Sequence, residues 1–146
     1  MDDNNKNLFE MTVDATLENL DKVIQFVEEH LERVGCLQKI KTEIDVAVDE
    51  IFANISSYAY SPKVGDATIK IEFDNELKEV EITFIDSGKP YNPLEKEDPD
   101  VTLPLEKRKI GGLGIYMVKK SMDDMKYEYK NNHNILKIKK KLKKEN

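Results

Sequence analysis

Ala67-Thr-Ile-Lys-Ile-Glu-Phe73 and Val80-Glu-Ile-Thr-Phe-Ile85, separated by the turn-forming Asp74-Asn75-Glu76, decide the fold class. Both runs alternate apolar and polar residues with a period of two, the pattern of strands with one face buried and the other wet. The short spacer makes them a hairpin, and a sheet with one apolar face needs a cover. Two helical segments upstream supply it. From Ala15 to Val34 the residues Leu17, Leu20, Ile24, Val27, Leu31 and Val34 recur three and four apart, and Gly35 provides a stop. From Gln38 to Tyr58 a broader arc carries Ile40, Ile44, Ala47, Ile51 and Ile55, widened by Val48, Phe52 and Ala59. His30 reads as an exposed position on the first helix.

Downstream, residues 86–114 hold four of the five prolines and Gly88, Gly111, Gly112 and Gly114, which predicts a long loop. Such a loop inside a small domain points to a lid or binding segment. Ile115 to Met122 reads as a short helix. Met125–Tyr129 and Ile135–Leu142 read as a closing hairpin around Asn131-Asn-His-Asn134, with the lysines of 137–144 on a solvated face and a frayed tail. The predicted order is helix, helix, strand, strand, loop, helix, strand, strand: an α+β fold, a two-layer sandwich with helices on one face of a sheet.

The 146 residues suit one domain, with its core about 9–142, since a chain of this length removes roughly 70% of its unfolded surface from water on folding. A net charge of -6 argues against phosphate backbones and anionic membranes as partners. The amino terminus lacks a basic start and an apolar stretch, which predicts a soluble, cytoplasmic protein without a membrane span. Cys36 is the single cysteine and reads as packing at a helix end rather than as a catalytic thiol.

Three elements have chemical potential. Glu43, Glu50 and Asn54 lie on one side of the second helix, at the edge of its apolar arc. Glu50 and Asn54, four apart, reach one spot, where a carboxylate takes a proton and an amide oxygen ligates a hard cation. Asp86-Ser-Gly-Lys-Pro-Tyr-Asn-Pro93 follows a strand end, where Asp86 suits the amine edge of a flat heterocycle and Gly88 permits close backbone approach; the same residues also suit a plain turn. Gly111-Gly-Leu-Gly114 opens a helix, a site for phosphates. These glycines fit no dinucleotide fingerprint, because Met117 stands where Gly or Ala is needed and no strand precedes them.

Together, and in this order, the three elements resemble the nucleotide site of the gyrase, chaperone, histidine-kinase and MutL ATPase superfamily. Val48-Asp-Glu-Ile-Phe-Ala-Asn54, Asp86 to Pro93 and Gly112-Leu-Gly-Ile-Tyr-Met-Val-Lys-Lys-Ser-Met-Asp-Asp124 look like the bacterial anti-sigma factor serine kinases. The resemblance implies a mixed, mostly antiparallel sheet, ATP and Mg²⁺ as cofactors, and a serine/threonine kinase that binds a sigma factor and phosphorylates a small anti-anti-sigma protein of the STAS type. It also implies a homodimer and no direct contact with nucleic acid. It assigns Glu50 as general base, Asn54 to Mg²⁺, Asp86 and Gly88 to adenine, and Gly112, Leu113 and Gly114 to the phosphates. The lid is the loop from Tyr91 to Ile110, with Lys107, Arg108 or Lys109 neutralising the terminal phosphate and Arg108 carried into the site. Tyr58 stands where relatives often have a histidine, and Ile110 where many have an arginine, so the phosphates are less positively surrounded. Two other readings stay open: a non-catalytic ATP-binding regulatory module and a stand-alone ATPase.

Overall fold

Alternation extends further along the chain than the two hairpins. The computed structural model describes residues 7–60, 63–76, 78–95 and 113–142. It contains β1 (Leu8–Asp14), α1 (Leu20–Arg33), α2 (Gln38–Asn54), β2 (Asp66–Asp74), β3 (Glu79–Asp86), α3 (Leu113–Ser121), β4 (Asp124–Lys130) and β5 (His133–Lys141). The five strands form one sheet in the order β1-β2-β3-β5-β4. Every pairing is antiparallel, where a mixed sheet was expected.

β1 is the strand that the helical reading of the amino-terminal region passed over. It adds to the β2 edge through Phe9 opposite Ile71, Met11 opposite Ile69 and Val13 opposite Ala67. Its presence moves the start of the first helix from Ala15 to Leu20, after a 3-10 turn at Leu17–Asn19. The buried stripe rotates accordingly: Val23, Val27 and Leu31 are wholly buried, whereas Leu17 and Val34 are exposed. His30 is buried too, contrary to the sequence reading. Its ring lies 4.3 Å from that of Phe9 and 4.8 Å from that of Phe26, and its Nδ1 is 2.8 Å from the Phe26 carbonyl oxygen. At the end of α1, Gly35 adopts φ +72°, and the N–H groups of Gly35 and Cys36 close on the carbonyls of Glu32 and Leu31. This is the paired closure that a left-handed glycine makes possible.

The strands line up in rows across the covered face. Phe9, Ile71, Ile82, Ile138 and Met125 form one row, and Met11, Ile69, Phe84, Leu136 and Tyr127 the next. Ile40, Ile44, Ala47, Val48, Ile51 and Phe52 of α2 and Val118 of α3 complete the core above them. The third row, Val13, Ala67, Asp86, Asn134 and Tyr129, turns polar at its centre. Lys140 also departs from the solvated face: it lies opposite Val80, bonds to the Ser121 carbonyl, and its Nζ stands 3.8 Å from Glu43. Cys36 packs on the core, and burial pushes its thiol above the ordinary range, in keeping with a packing role.

Between α1 and α2, Lys41 pairs with Glu32 at 3.0 Å and with Glu28 at 3.6 Å. One turn on, Asp45 has Oδ1 buried without a hydrogen-bond partner among the described residues. Burial first, then a hydrogen bond to Glu28 and the charge of that residue, push the Asp45 carboxyl up to about 7. An unfolded Asp titrates near ~4, so between roughly pH 4 and 7 the folded state holds the extra proton. The associated stability is present below that window and is lost as pH rises through it. Thermal melts at pH 4 to 8 should therefore show the wild type losing stability with rising pH, and Asp45→Asn should flatten that slope; an unchanged slope would exclude Asp45 as its source.

Candidate functional site

α2 does not stop at Asn54 but continues into a π turn, Ile55–Ala59, of the kind that often accompanies functional sites. The turn carries the helix end onto the segment that follows β3. Lys89 donates its N–H to the Ala59 carbonyl at 2.9 Å, and Ser87 donates to the Tyr60 hydroxyl at 2.7 Å. Tyr60 in turn donates to the Asp66 carbonyl at 2.6 Å. Burial pushes the Tyr60 phenol up, so it keeps the proton that this last bond uses. The helix that bears Glu50 and Asn54 is thus tied directly to the strand end that bears Asp86.

Gly88 is needed at this junction for a reason the sequence did not show. A Cβ placed there would stand 2.2 Å from the Ala59 carbonyl oxygen, so the close approach its missing side chain allows is to the π turn. Gly114, near the start of α3, has a different neighbour: a Cβ there would meet the Glu50 carboxylate at 1.9 Å. Glu50 therefore lies against the first turn of α3, whose leading N–H groups have no partner within the helix. The acid and the helix start assigned to phosphates meet in space.

Beside this contact opens a cleft of about 480 Å³, its open mouth included, lined by Asn54, Tyr58, Asp86, Lys89, Tyr91 and Asn134 among apolar walls of Ile51, Ile55, Phe84, Ile115 and Leu136. An apolar cleft of a few hundred Å³ with few polar groups suits a small flat ligand. Asp86 is buried at its floor and 6% exposed. Its Oδ1 accepts from the Gly88 N–H and from Asn134 Nδ2, both at 2.9 Å. Oδ2 makes no hydrogen bond among the described residues and is the acceptor left for a ligand.

The structure brings Glu50, Asn54, Asp86, Gly88 and Gly114 to one end of the sheet, with Leu113 the first residue of α3. Arg108, Gly112, Ile110 and most of the expected lid lie outside the described residues. Glu43 belongs elsewhere, with Lys140. Asn134 is the functional side chain that sequence reasoning missed, because a four-residue loop was drawn through it. The turn is only Asn131-Asn132, both at positive φ (53° and 64°), which puts Asn134 inside β5 opposite Asp86. Such a tight hairpin needs positive φ at both central residues, which asparagine tolerates better than most, and the Asn131-Asn132 pair was the available signal.

A cation here fits a sparse protein donor set. Among the described residues no three His, Cys, Asp or Glu side chains gather to hold a metal. The Asn54 amide oxygen can supply one ligand to a magnesium ion that keeps waters and phosphate oxygens as its others, which is its habit.

A two-layer α/β domain whose acid-bearing helix, strand-end aspartate and following helix start gather around one apolar cleft has the arrangement of a class of ATPase domains. Residues 13–140 match the histidine kinase-like ATPase domain, and the chain belongs to that family. The serine-protein kinase RsbW of Bacillus mycoides is 30% identical over 97 residues, covering 64% of this chain and 59% of the relative. The serine/threonine-protein kinase BtrW of Bordetella bronchiseptica is 24% identical over 98 residues, covering 67% and 68%. The match therefore spans somewhat under two thirds of the RsbW chain's length. In fold, the chain is similar to a crystal structure of the RsbU and RsbW domains of a Mycobacterium tuberculosis protein, with TM-score 0.67 at 16% identity, covering 92% of this chain and 32% of that one.

The two glycines should respond differently to a methyl group. Gly88→Ala drives Cβ into backbone and should cost about 1–3 kcal/mol, lowering Tm by several degrees. Gly114→Ala meets only the flexible end of Glu50 and should leave the melt within a degree or two while displacing the carboxylate, as differential scanning calorimetry of both variants would establish.

Proposed function

We propose that this chain is an ATP- and magnesium-dependent serine/threonine protein kinase of the anti-sigma type, which binds a sigma factor and phosphorylates a small STAS-type antagonist. One observation carries the reading: Asp86 on the floor of an apolar cleft, with Glu50 and Asn54 on the helix wall that leads from it to the start of α3. The names of the related kinases support the reaction class.

In this reading Asp86 accepts a hydrogen bond from the adenine amine through Oδ2, and Phe84, Leu136 and Ile115 enclose the base. Asn54 offers its amide oxygen to the magnesium ion, which when bound draws charge from the phosphate oxygens. The N–H groups at Gly112, Leu113 and Gly114 serve the phosphates, with Arg108 contributing from the lid. Glu50, already against Gly114, takes the proton from the attacking Ser or Thr hydroxyl. Positioning and charge neutralisation supply most of the acceleration, as phosphoryl transfer generally requires. The reading includes a homodimer working in the cytoplasm.

Calorimetric titration with ATP and Mg²⁺ tests the site. Asp86→Asn should weaken ATP by roughly 10- to 100-fold, the value of a hydrogen bond to a charged group, and Asn54→Ala should remove the dependence on Mg²⁺. Glu50→Gln should keep ATP affinity within a few-fold and slow labelling of an antagonist by on the order of 100-fold or more. A Glu50→Gln protein that labels the antagonist at the wild-type rate would overturn the assignment of Glu50, and a wild type that binds ATP but transfers nothing would leave a regulatory binding module.

A further inference from the structure

Asn134 spends every hydrogen-bonding atom inside the protein. Its Nδ2 donates to Asp86 Oδ1 at 2.9 Å and to the Lys89 carbonyl at 2.8 Å, with the Gly88 carbonyl at 3.5 Å. Its Oδ1 accepts from the Tyr91 N–H at 3.0 Å and from the Tyr127 hydroxyl. Burial pushes the Tyr127 phenol up, which keeps a proton on that oxygen. Only a primary amide matches this setting, with donors facing a carboxylate and two carbonyls and an acceptor facing an N–H and an O–H. A hydroxyl supplies a single donor, and a carboxylate supplies none. Asn134 therefore has nothing left for a ligand and acts through Asp86.

Its effect on Asp86 is geometric. A free carboxylate presents two acceptors side by side, and this is the arrangement that matches guanine, whose N1–H and N2–H₂ are adjacent donors. At Asp86 one of the two oxygens is taken. Oδ1 is held by Asn134 from one side and by the Gly88 N–H from the other. The carboxylate is locked in rotation with Oδ2 as its single outward acceptor, a match for one exocyclic amine.

We propose that Asn134 is the positioning residue that makes this site selective for adenine over guanine nucleotides, by occupying one oxygen of Asp86 and fixing its rotation against the Gly88–Tyr91 segment. This rests on the nucleotide reading above. Removing the amide leaves Oδ1 with the Gly88 N–H alone and one lone pair open, which lets the carboxylate turn and accept two donors from a ligand, so discrimination falls even where overall affinity also falls.

The test is titration of the full chain with Mg²⁺ and either ATP or GTP, comparing the wild type with Asn134→Leu, a near-isosteric apolar replacement, and with Tyr127→Phe, which removes one bond to Asn134 and leaves Asp86 untouched. Far-ultraviolet circular dichroism checks the fold of each variant. The ATP-to-GTP affinity ratio should fall roughly tenfold or more in Asn134→Leu and a few-fold in Tyr127→Phe. A purely structural role would lower both affinities together and leave the ratio where it was, which overturns the proposal. If Asn134→Leu does not fold, Tyr127→Phe decides by the same ratio. A wild type that binds ATP while neither folded variant shifts the ratio removes this proposal alone; a wild type that binds neither nucleotide removes the nucleotide reading and this proposal with it.

Discussion

A carboxylate on the covered face of a sheet is costly unless donors reach it, because burial withdraws the water that would stabilise its charge. Asp86 sits in that position, one residue pair beyond the apolar rows headed by Phe9 and Met11, and it is satisfied by the Gly88 N–H and the Asn134 amide. Much of the rest follows from meeting this requirement. The amide that satisfies Asp86 also holds the Lys89 carbonyl and the Tyr91 N–H, so the strand end and the start of the following loop form one hydrogen-bonded unit. The sheet register is what permits it, since a slip of one residue would turn Asn134 to the opposite face.

The second constraint is the seam between that unit and α2. The π turn at Ile55–Ala59 directs the Ala59 carbonyl at Lys89 and leaves room only for a glycine at position 88. Glu50 and Asn54 stand on the continuous helix that ends in this turn, so their positions relative to Asp86 are set by backbone contacts rather than by flexible side chains. Contacts of this kind fix the position of the α2 end relative to the β3 end through the backbone.

Much of the architecture was legible locally. The alternation of 67–73 and 80–85 and the apolar arc of α2 each report a period that arises within one element, and these readings agree with the structure. Glu50, Asn54, Asp86, Gly88 and Gly114, whose spacing within α2, after β3 and at the start of α3 carries the resemblance, are brought to one end of the sheet, and their roles are those proposed above. β1 was passed over although Phe9, Met11 and Val13 alternate with Glu10, Thr12 and Asp14, because the run is short and its inner residues, only half buried at the sheet edge, have no neighbouring turn signal that pairs them with a second strand. That omission carried the misreading of His30, which is buried because Phe9 arrives from β1.

The sequence by itself determined the type of every element but β1 and the one-sided burial of the sheet and α2, since each of these depends on residues a few positions apart. Tertiary structure alone decided that Asn134 faces Asp86, that Gly88 answers to Ala59, and that the Glu50 carboxylate rests against Gly114. The physical reason is that each is a contact between elements distant in the chain, fixed by strand register and helix packing. Local periodicity contains no information about which residue lies across from which.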